Sequence, residues 1–241
     1  MPLPCAFTLA GMPQAATSTT RSPPAAPGWS RPLAGRFLVF DGPDGAGKST
    51  QLRRFQSAAE KDGLFVTTVR EPGGTEVGER VRNLVLNYPD ERCGAMDTRA
   101  EMLLFMASRA QLVAQRIRPA LAAGHLVLAD RFLSSTLAYQ GTAGGLPLAE
   151  IRGVGEVALG GCRPDLVVIF DVDPVTASSR LNPLLDRVES RDAGYQERVR
   201  AGFLAQAEAD PAGHLLIDAT ASESGVAATL RAGLAERFPA G

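Results

Sequence analysis

The sequence is short of several things, and each shortage narrows its chemistry. Its 241 residues hold three cysteines, Cys5, Cys93 and Cys162, far apart and in no CxxC pair. That argues against a disulfide or zinc framework and for reduced thiols in a cytosol. Only two histidines occur, His125 and His214, each just ahead of an apolar run (HLVLAD and HLLIDA), with no second metal ligand or nucleophile at a useful spacing. Both read as strand-edge packing residues. No apolar run approaches the roughly 18 residues of a membrane span. Neither sign of charge is in excess: the net charge is −1 with 21% charged residues, which offers no basic surface for nucleic acid. Basic residues with a binding role are therefore expected to be local to a phosphate site. A guanine-specifying NKxD is missing as well, which speaks against a GTPase switch.

Residues 1–35 lack acidic side chains altogether and are rich in Pro, Ala, Ser and Thr, with Arg21 and Arg31 their only charged side chains. Such a segment cannot bury enough apolar surface to offset its ordering entropy, so it is expected to be a disordered extension outside the fold. It has neither the charged start nor the continuous apolar core of a secretory signal. An organelle transit peptide and a start codon assigned too far upstream, with Met12 or a later codon as the true start, stand as alternatives.

What is present is an organised α/β chain. A 45% hydrophobic content suits one domain, 36–241, with a substantial core. Near-continuous apolar runs at Phe37–Asp41, Leu64–Val69, Leu126–Asp130, Leu166–Asp171 and Leu215–Asp218 read as parallel strands covered on both faces. Helix-period stretches fall between them, near 49–62, 76–87, 98–122, 147–160, 174–181, 195–208 and 222–237. This alternation predicts a three-layer, doubly wound, five-stranded parallel sheet. Ligands of such sheets bind at the strands' carboxyl ends, where Asp41, Asp130, Asp171 and Asp218 stand.

The chemistry centres on Phe40 to Ser49, FDGPDGAGKS. Gly42, Gly47, Lys48 and Ser49 fit GxxxxGK[ST], with a strand before and a helix after. The intervening Pro43, Asp44, Gly45 and Ala46 complete a loop whose backbone N–H groups can point at one phosphate, and the helix dipole beyond favours the same charge. Lys48 can reach β/γ-phosphates, and the Ser49 hydroxyl can bind Mg²⁺. The motif predicts binding of a nucleotide triphosphate.

Four further stretches lie on the same sheet edge. Arg70-Glu71-Pro72-Gly73-Gly74-Thr75 follows the second strand; Thr75 can cap the next helix, and the Arg-Glu pair can contact substrate. Phe105 and Arg109, four residues apart, share a helix face. They can clamp a nucleobase by stacking and guanidinium hydrogen bonds, or serve as a core ring and a surface ion pair. Asp130 is placed either as a Walker-B-type carboxylate or as a cap for the next helix, with Arg131 able to hold a phosphate. Arg180, Arg187 and Arg191, around Pro183, suit either a lid over transferring phosphates, about 180–193, or a solvated connection.

Taken together these stretches resemble the thymidylate kinases, phosphate-loop kinases of nucleoside monophosphates. FDGPDGAGKSTQ resembles their phosphate loop, REPGGT their second-strand motif, and DRFLSSTLAYQG their DR(Y/F)xxSxxAYQG signature; RPDLVVIFDVDP, DRVE and LLIDAT follow in the family's order. The resemblance spans about residues 36–238. It implies a phosphate-loop NTPase fold, and Mg²⁺-dependent transfer from ATP to dTMP in a cytoplasmic homodimer. It implies that Gly45–Ser49 and Thr50 surround the ATP phosphates, that Asp44 lies at the sugar, and that Ser49 and Asp130 serve the metal. Phe105 would stack thymine, Arg109 donate to its O4, Thr136 touch the base edge, and Tyr139 crowd the sugar's 2′ position beside Gln140. Arg70 and Arg131 would hold the acceptor phosphate. Some members carry an arginine in the phosphate loop where this chain has Gly45, and others a lid dense in arginine where this chain has Asn182 and Pro183. The catalytic cations are therefore expected among Lys48, Arg131, Arg180, Arg187 and Arg191. A catalytically weak nucleotide-binding homologue and a kinase of another nucleoside monophosphate are the alternatives.

Overall fold

Apolar strand runs alternating with helix-period stretches fold as a wound sheet, because each strand must be covered on both faces. The computed structural model describes residues 28–89, 94–180 and 193–239. Strands β1 (Phe37–Asp41), β2 (Val66–Arg70), β3 (Leu126–Asp130), β4 (Leu166–Asp171) and β5 (His214–Asp218) form one sheet, order β2-β3-β1-β4-β5, every pair parallel. Helix α1 (Lys48–Lys61) carries the chain from β1 outward to β2, whereas the connection after β3 crosses back over β1 to β4. Right-handed crossovers in opposite directions put their helices on opposite faces. The strand alternation agrees. Leu38 and Phe40 pack with Leu52 and Phe55 of α1 and with Leu230 and Leu234 of α9 (Glu223–Arg237). Phe37 and Val39 face the other way, against Leu112, Ile117 and Phe132.

Register brings the chemistry to one level. Phe40 pairs with Asp130, Arg70 also with Asp130, and Asp171 with Asp218, so the strand ends form a single edge. Helix α2 (Glu76–Leu86) begins at Thr75, whose hydroxyl accepts the Gly78 N–H at 3.0 Å. Both histidines sit at strand starts. The His125 Nδ1 lies 2.9 Å from the Thr67 hydroxyl, and the His214 Nδ1 is 2.9 Å from the Asp210 carbonyl.

Three local expectations are corrected. β2 starts at Val66 rather than Leu64, which turns out of α1 with its N–H on the Ala59 carbonyl, and β2 includes Arg70. The helical stretch 98–122 is α3 (Thr98–Leu112), a π segment (Val113–Ile117) and α4 (Arg118–Ala122). Pro119 has no N–H for the carbonyl four residues back, so the ladder shifts there. After β3 come α5 (Leu133–Thr136) and a π turn (Leu137–Ala143), which the strand–helix alternation had left blank, before α6 (Leu148–Leu159). Helices α7 (Pro174–Arg180) and α8 (Ala193–Ala209) flank β4 and β5.

The disordered extension expected over residues 1–35 is corrected for residues 28–35, and 1–27 lie outside the described residues. The Ser30 N–H and hydroxyl donate to the Asp62 carboxylate, just past α1, at 2.9 and 2.5 Å. These bonds hold the Asp62 carboxyl below its usual range. Trp29 sets its ring edge-on to Phe55, centroids 5.5 Å apart, while Arg231 of α9 lies over its other side. Leu33 enters the core. A composition dominated by Pro and Ala hid two anchors, Trp29 and Leu33, that need only a few residues to dock. Trp29→Ala should therefore cost about 2 kcal/mol, read by calorimetry as a melting temperature several degrees lower. An unchanged melting temperature would mean that residues 28–35 are no part of the cooperative fold.

Candidate functional site

β1 ends on Asp41, and a glycine-rich loop after it curls into α1. Gly45 stands at φ +77°, and a Cβ there would lie 2.4 Å from the Ala177 carbonyl oxygen of α7. Gly47 at φ +79° turns the chain into α1, with nothing within 4 Å of its missing Cβ. The buried Lys48 ammonium donates to the carbonyls of Gly42 at 3.0 Å and Pro43 at 2.7 Å. Burial and the Arg131 charge lower its pKa to about 8, against the pull of Asp44, Asp130 and Asp41. Ala46 is buried beneath the loop. In the first turn of α1, the Ser49 hydroxyl donates to Asp130 Oδ2 at 2.7 Å.

Asp41 organises the chain beyond β3. It accepts the Gly42 N–H at 2.9 Å and the hydroxyls of Ser134 and Ser135 at 2.5 and 2.6 Å, fixing the start of α5. Between β3 and α5, Arg131 takes φ +69°, the one positive φ of a non-glycine residue among the described residues. A left-handed residue costs about 1–2 kcal/mol, and such strain persists where surroundings over-determine it. The turn folds the Arg131 guanidinium back over the loop. It donates to Asp44, to Ser135 Oγ at 2.9 Å and to Tyr139 Oη at 3.2 Å, and lies 5.0 Å over the Tyr139 ring. The Tyr139 hydroxyl donates to the other Asp44 oxygen at 2.7 Å. Burial alone would raise Asp44; the charges of Arg131 and Lys48 and the Tyr139 hydroxyl outweigh it, and the carboxyl sits below its usual range. Burial pushes the Tyr139 hydroxyl well up, so it stays a neutral donor.

The end of β2 supplies the opposite wall. Arg70 is half exposed and meets both oxygens of Glu79 at 3.2 Å. Glu71 turns inward to Arg109 of α3. The Arg109 Nε donates to both Glu71 oxygens at 2.9 and 3.1 Å, and Nη2 to one of them at 2.6 Å. Nη2 also reaches Thr136 Oγ1 at 3.1 Å, and the guanidinium lies 5.2 Å over the Phe132 ring. Both side chains are buried, with 1% of Arg109 and 3% of Glu71 exposed. Burial pushes the Glu71 carboxyl up to about 7, Arg109 pulling the other way. Phe105 is half-buried beside them, and the Gln140 amide is turned to Glu101 at 2.7 Å.

One cavity of about 410 Å³ joins both ends. Its wall includes Asp44, Gly45 and Gly47–Thr50 on the loop side, Arg70, Phe105 and Arg109 opposite, and Asp130, Arg131, Thr136, Tyr139 and Gln140 between them. Gly42, Pro43 and Ala46 shape the loop from beneath without lining the cavity. Two wall residues escaped sequence reasoning, Arg82 and Leu86 of α2. Their i, i+4 spacing puts them on one helix face, a signal readable only once α2 is known to cover the site. The Arg82 Nη1 donates to the Pro72 carbonyl at 3.1 Å. Arg180 does not join the site; its Nη1 is bound to the Ala219 carbonyl at 2.9 Å and it lines no part of the cavity. Arg187 and Arg191, with most of the expected lid, lie outside the described residues. Among the described residues no group of three His, Cys, Asp or Glu side chains could cage a metal. The Ser49–Asp130 pair of hard oxygens instead fits Mg²⁺, which keeps most of its waters and takes ligands from phosphates.

The family model described as thymidylate kinase matches residues 40–229. The chain is 44% identical over 207 residues to the thymidylate kinase of Deinococcus radiodurans, covering 84% of this chain and 98% of that protein. Its identity to the thymidylate kinase of Desulforudis audaxviator is 46% over 199 residues, covering 82% and 88%. Among solved structures, the thymidylate kinase of Ehrlichia chaffeensis superposes with a TM-score of 0.67 at 29% identity, covering 83% of this chain and 98% of that one.

The two loop glycines separate strain from collision. Gly47→Ala should cost about 1 kcal/mol, the left-handed term alone. Gly45→Ala adds the clash with α7 and should lower the melting temperature clearly more. Equal losses would show that α7 does not rest on the loop.

Proposed function

The chain belongs to the thymidylate kinase family, and from that premise we propose that ATP is its phosphoryl donor and Mg²⁺ its metal. The enzyme converts dTMP to dTDP. The observation that carries the donor assignment is the single cavity, with a phosphate loop at one end and a buried, hydrogen-bonding guanidinium at the other. A triphosphate and a nucleoside monophosphate would meet in it end to end.

A phosphate oxygen is a nucleophile near neutral pH, so the acceptor needs no general base. The protein's work is positioning and charge matching. Lys48 would stand against the β/γ-phosphates, with the loop N–H groups and Thr50 around them. Ser49 and Asp130 would hold Mg²⁺, which when bound screens charge between the donor phosphates. Arg131 would hold the acceptor phosphate from one side, supported by its contacts to Asp44 and Tyr139. Arg70 and Arg82 stand on the opposite wall. With Arg180 bound to Ala219, the cations proposed for the transferring phosphoryl are Lys48, Arg131 and Arg82. Phe105 would stack on thymine, Arg109 donate to its O4, and Thr136 and Gln140 complete the base edge. Tyr139 and Asp44 would flank the sugar.

A homodimer is proposed on the family's pattern. It is supported by Val77 and Leu84 of α2, Leu103 of α3 and Val157 of α6, large apolar side chains left exposed on three helices that pack side by side. A cytosolic location is proposed from the three scattered cysteines, which form no CxxC pair. No described helix is long and apolar enough to cross a membrane.

A coupled ADP-release assay with ATP, Mg²⁺ and dTMP tests the donor and metal assignments, and loss of turnover on chelation is expected. Lys48→Ala should lower turnover by ~10²–10³-fold or more with the circular dichroism spectrum retained. Undiminished turnover would remove Lys48 from the reaction. The thymine methyl is worth ~1–3 kcal/mol, so dUMP should be ~10–200-fold poorer than dTMP. Cytosine presents an amino donor where Arg109 needs an acceptor, so dCMP should be worse by ~10⁴-fold. Equal rates with dCMP would exclude Arg109 as the base reader.

A further inference from the structure

A guanidinium carries five N–H groups, and nearly all of those on Arg109 are already engaged by the protein. The Nε group is shared between the two Glu71 oxygens, and one Nη2 group goes to Glu71 as well. The other Nη2 group goes to Thr136 Oγ1, and one Nη1 group lies 3.0 Å from the Met106 sulfur. A single Nη1 N–H is left without a protein acceptor among the described residues. Thr136, having accepted from Nη2, keeps its own hydroxyl proton to give away. Both residues line the cavity.

The geometry points to Glu71 as the positioning residue that sets nucleobase selectivity. By taking the Nε and Nη2 side of the fork it fixes the guanidinium plane and presents one Nη1 N–H, which can only donate, beside the Thr136 hydroxyl. The Nη1 N–H matches a ring carbonyl oxygen and opposes an exocyclic amino group. The carboxylate also neutralises the guanidinium, so a neutral base is not asked to sit on an unpaired buried cation. Freed from Glu71, Arg109 could swing and share its donors, and that discrimination would weaken. This inference rests on the dTMP reading of the site.

The test uses the full chain, first wild type and then Glu71→Gln and Glu71→Asp, with KM and kcat for dTMP, dUMP and dCMP, KM for ATP, and melting temperature. Gln keeps the size but sets an NH₂ group against the guanidinium. It should raise KM for dTMP by ~10–100-fold with a far smaller change in kcat. It should leave KM for ATP within about twofold and shrink the dTMP-over-dCMP preference at least about tenfold. Asp, a carboxylate set back by one methylene, should recover part of both effects, and it carries the test alone if the Gln variant does not fold. Wild-type KM and preference in both variants would overturn the assignment. So would a parallel loss of dTMP affinity, ATP affinity and melting temperature, which marks a structural role only. A wild type inactive on dTMP would instead fail the substrate reading, and that is measured first.

Discussion

Charges gathered at the carboxyl ends of β1, β2 and β3 have to be matched inside the protein, and the site is built from that requirement. Removing an ion from water costs several kcal/mol even after relaxation, and a buried pair recovers this only when its remaining donors and acceptors are also met. Here most are met. Asp41 accepts two N–H groups and two serine hydroxyls, Lys48 gives two of its three N–H groups to carbonyls, and Asp44 accepts from a guanidinium and a phenol. Arg109 is engaged by Glu71, Thr136 and the Met106 sulfur in all but one Nη1 N–H. The bonds of Ser134, Ser135, Arg131, Tyr139 and Arg109 tie together elements remote in sequence, so the electrostatic matching also holds loop, strand ends and helices in one geometry. A site stiffened in this way can offer a phosphoryl group fixed charges without reorganising around it.

The sheet explains why those charges meet at all. Strands of five or six residues in parallel register end at one edge, and the central β1 has β3 on one side and β4 on the other. Connections leaving β1 and β3 in opposite directions open a crevice between them. Asp41, Arg70 and Asp130 arrive there through strand length and register alone. Of the residues with finer roles, Arg131 and Glu71 directly follow those strands, and Tyr139 comes from the π turn beyond α5.

That division also marks what could be read from the sequence. Strands β1, β3 and β4 are legible to the residue, because fully buried parallel strands need unbroken Val, Leu, Ile and Phe runs that nothing else in the chain supplies. The phosphate loop is legible because its glycines and lysine are constrained by backbone geometry. The partner of Arg109 was not. Helical spacing placed Phe105 beside Arg109, but Glu71 lies 38 residues away and meets it only through the packing of α3 on the turn after β2. Arg82 was hidden for the same reason. The left-handed turn at Arg131 leaves no trace in residue type, since the strain is held by tertiary contacts. The π turn over Leu137–Ala143 has no counterpart in the strand–helix alternation, yet it is what brings Tyr139 to Asp44 while Gln140 faces Glu101. Trp29 and Leu33 show the converse, a polar-looking leader whose last residues are core.

The contact between Gly45 and α7 bears on where a catalytic cation can come from. The space a Cβ would need at Gly45 is filled by the Ala177 carbonyl, so the loop itself cannot carry an arginine without moving α7. α7 is in turn held at both ends, its start by the Asp173 carboxylate on the Thr176 N–H at 2.9 Å, its end by Arg180 on the Ala219 carbonyl. On the far side, α8 is fastened to β4 by the Arg200–Asp171 pair at 2.6 and 2.7 Å, and Tyr195 donates to the Tyr139 carbonyl at 2.8 Å. The described chain on either side of Arg187 and Arg191 is thus bolted to the loop and to the π turn. With the loop closed to an arginine and Arg180 spent on a backbone carbonyl, the described cations that line the cavity are Lys48, Arg131, Arg70, Arg82 and the Glu71-bound Arg109. Arg131 is aimed by a left-handed backbone turn and held there by Asp44, Ser135 and Tyr139 together.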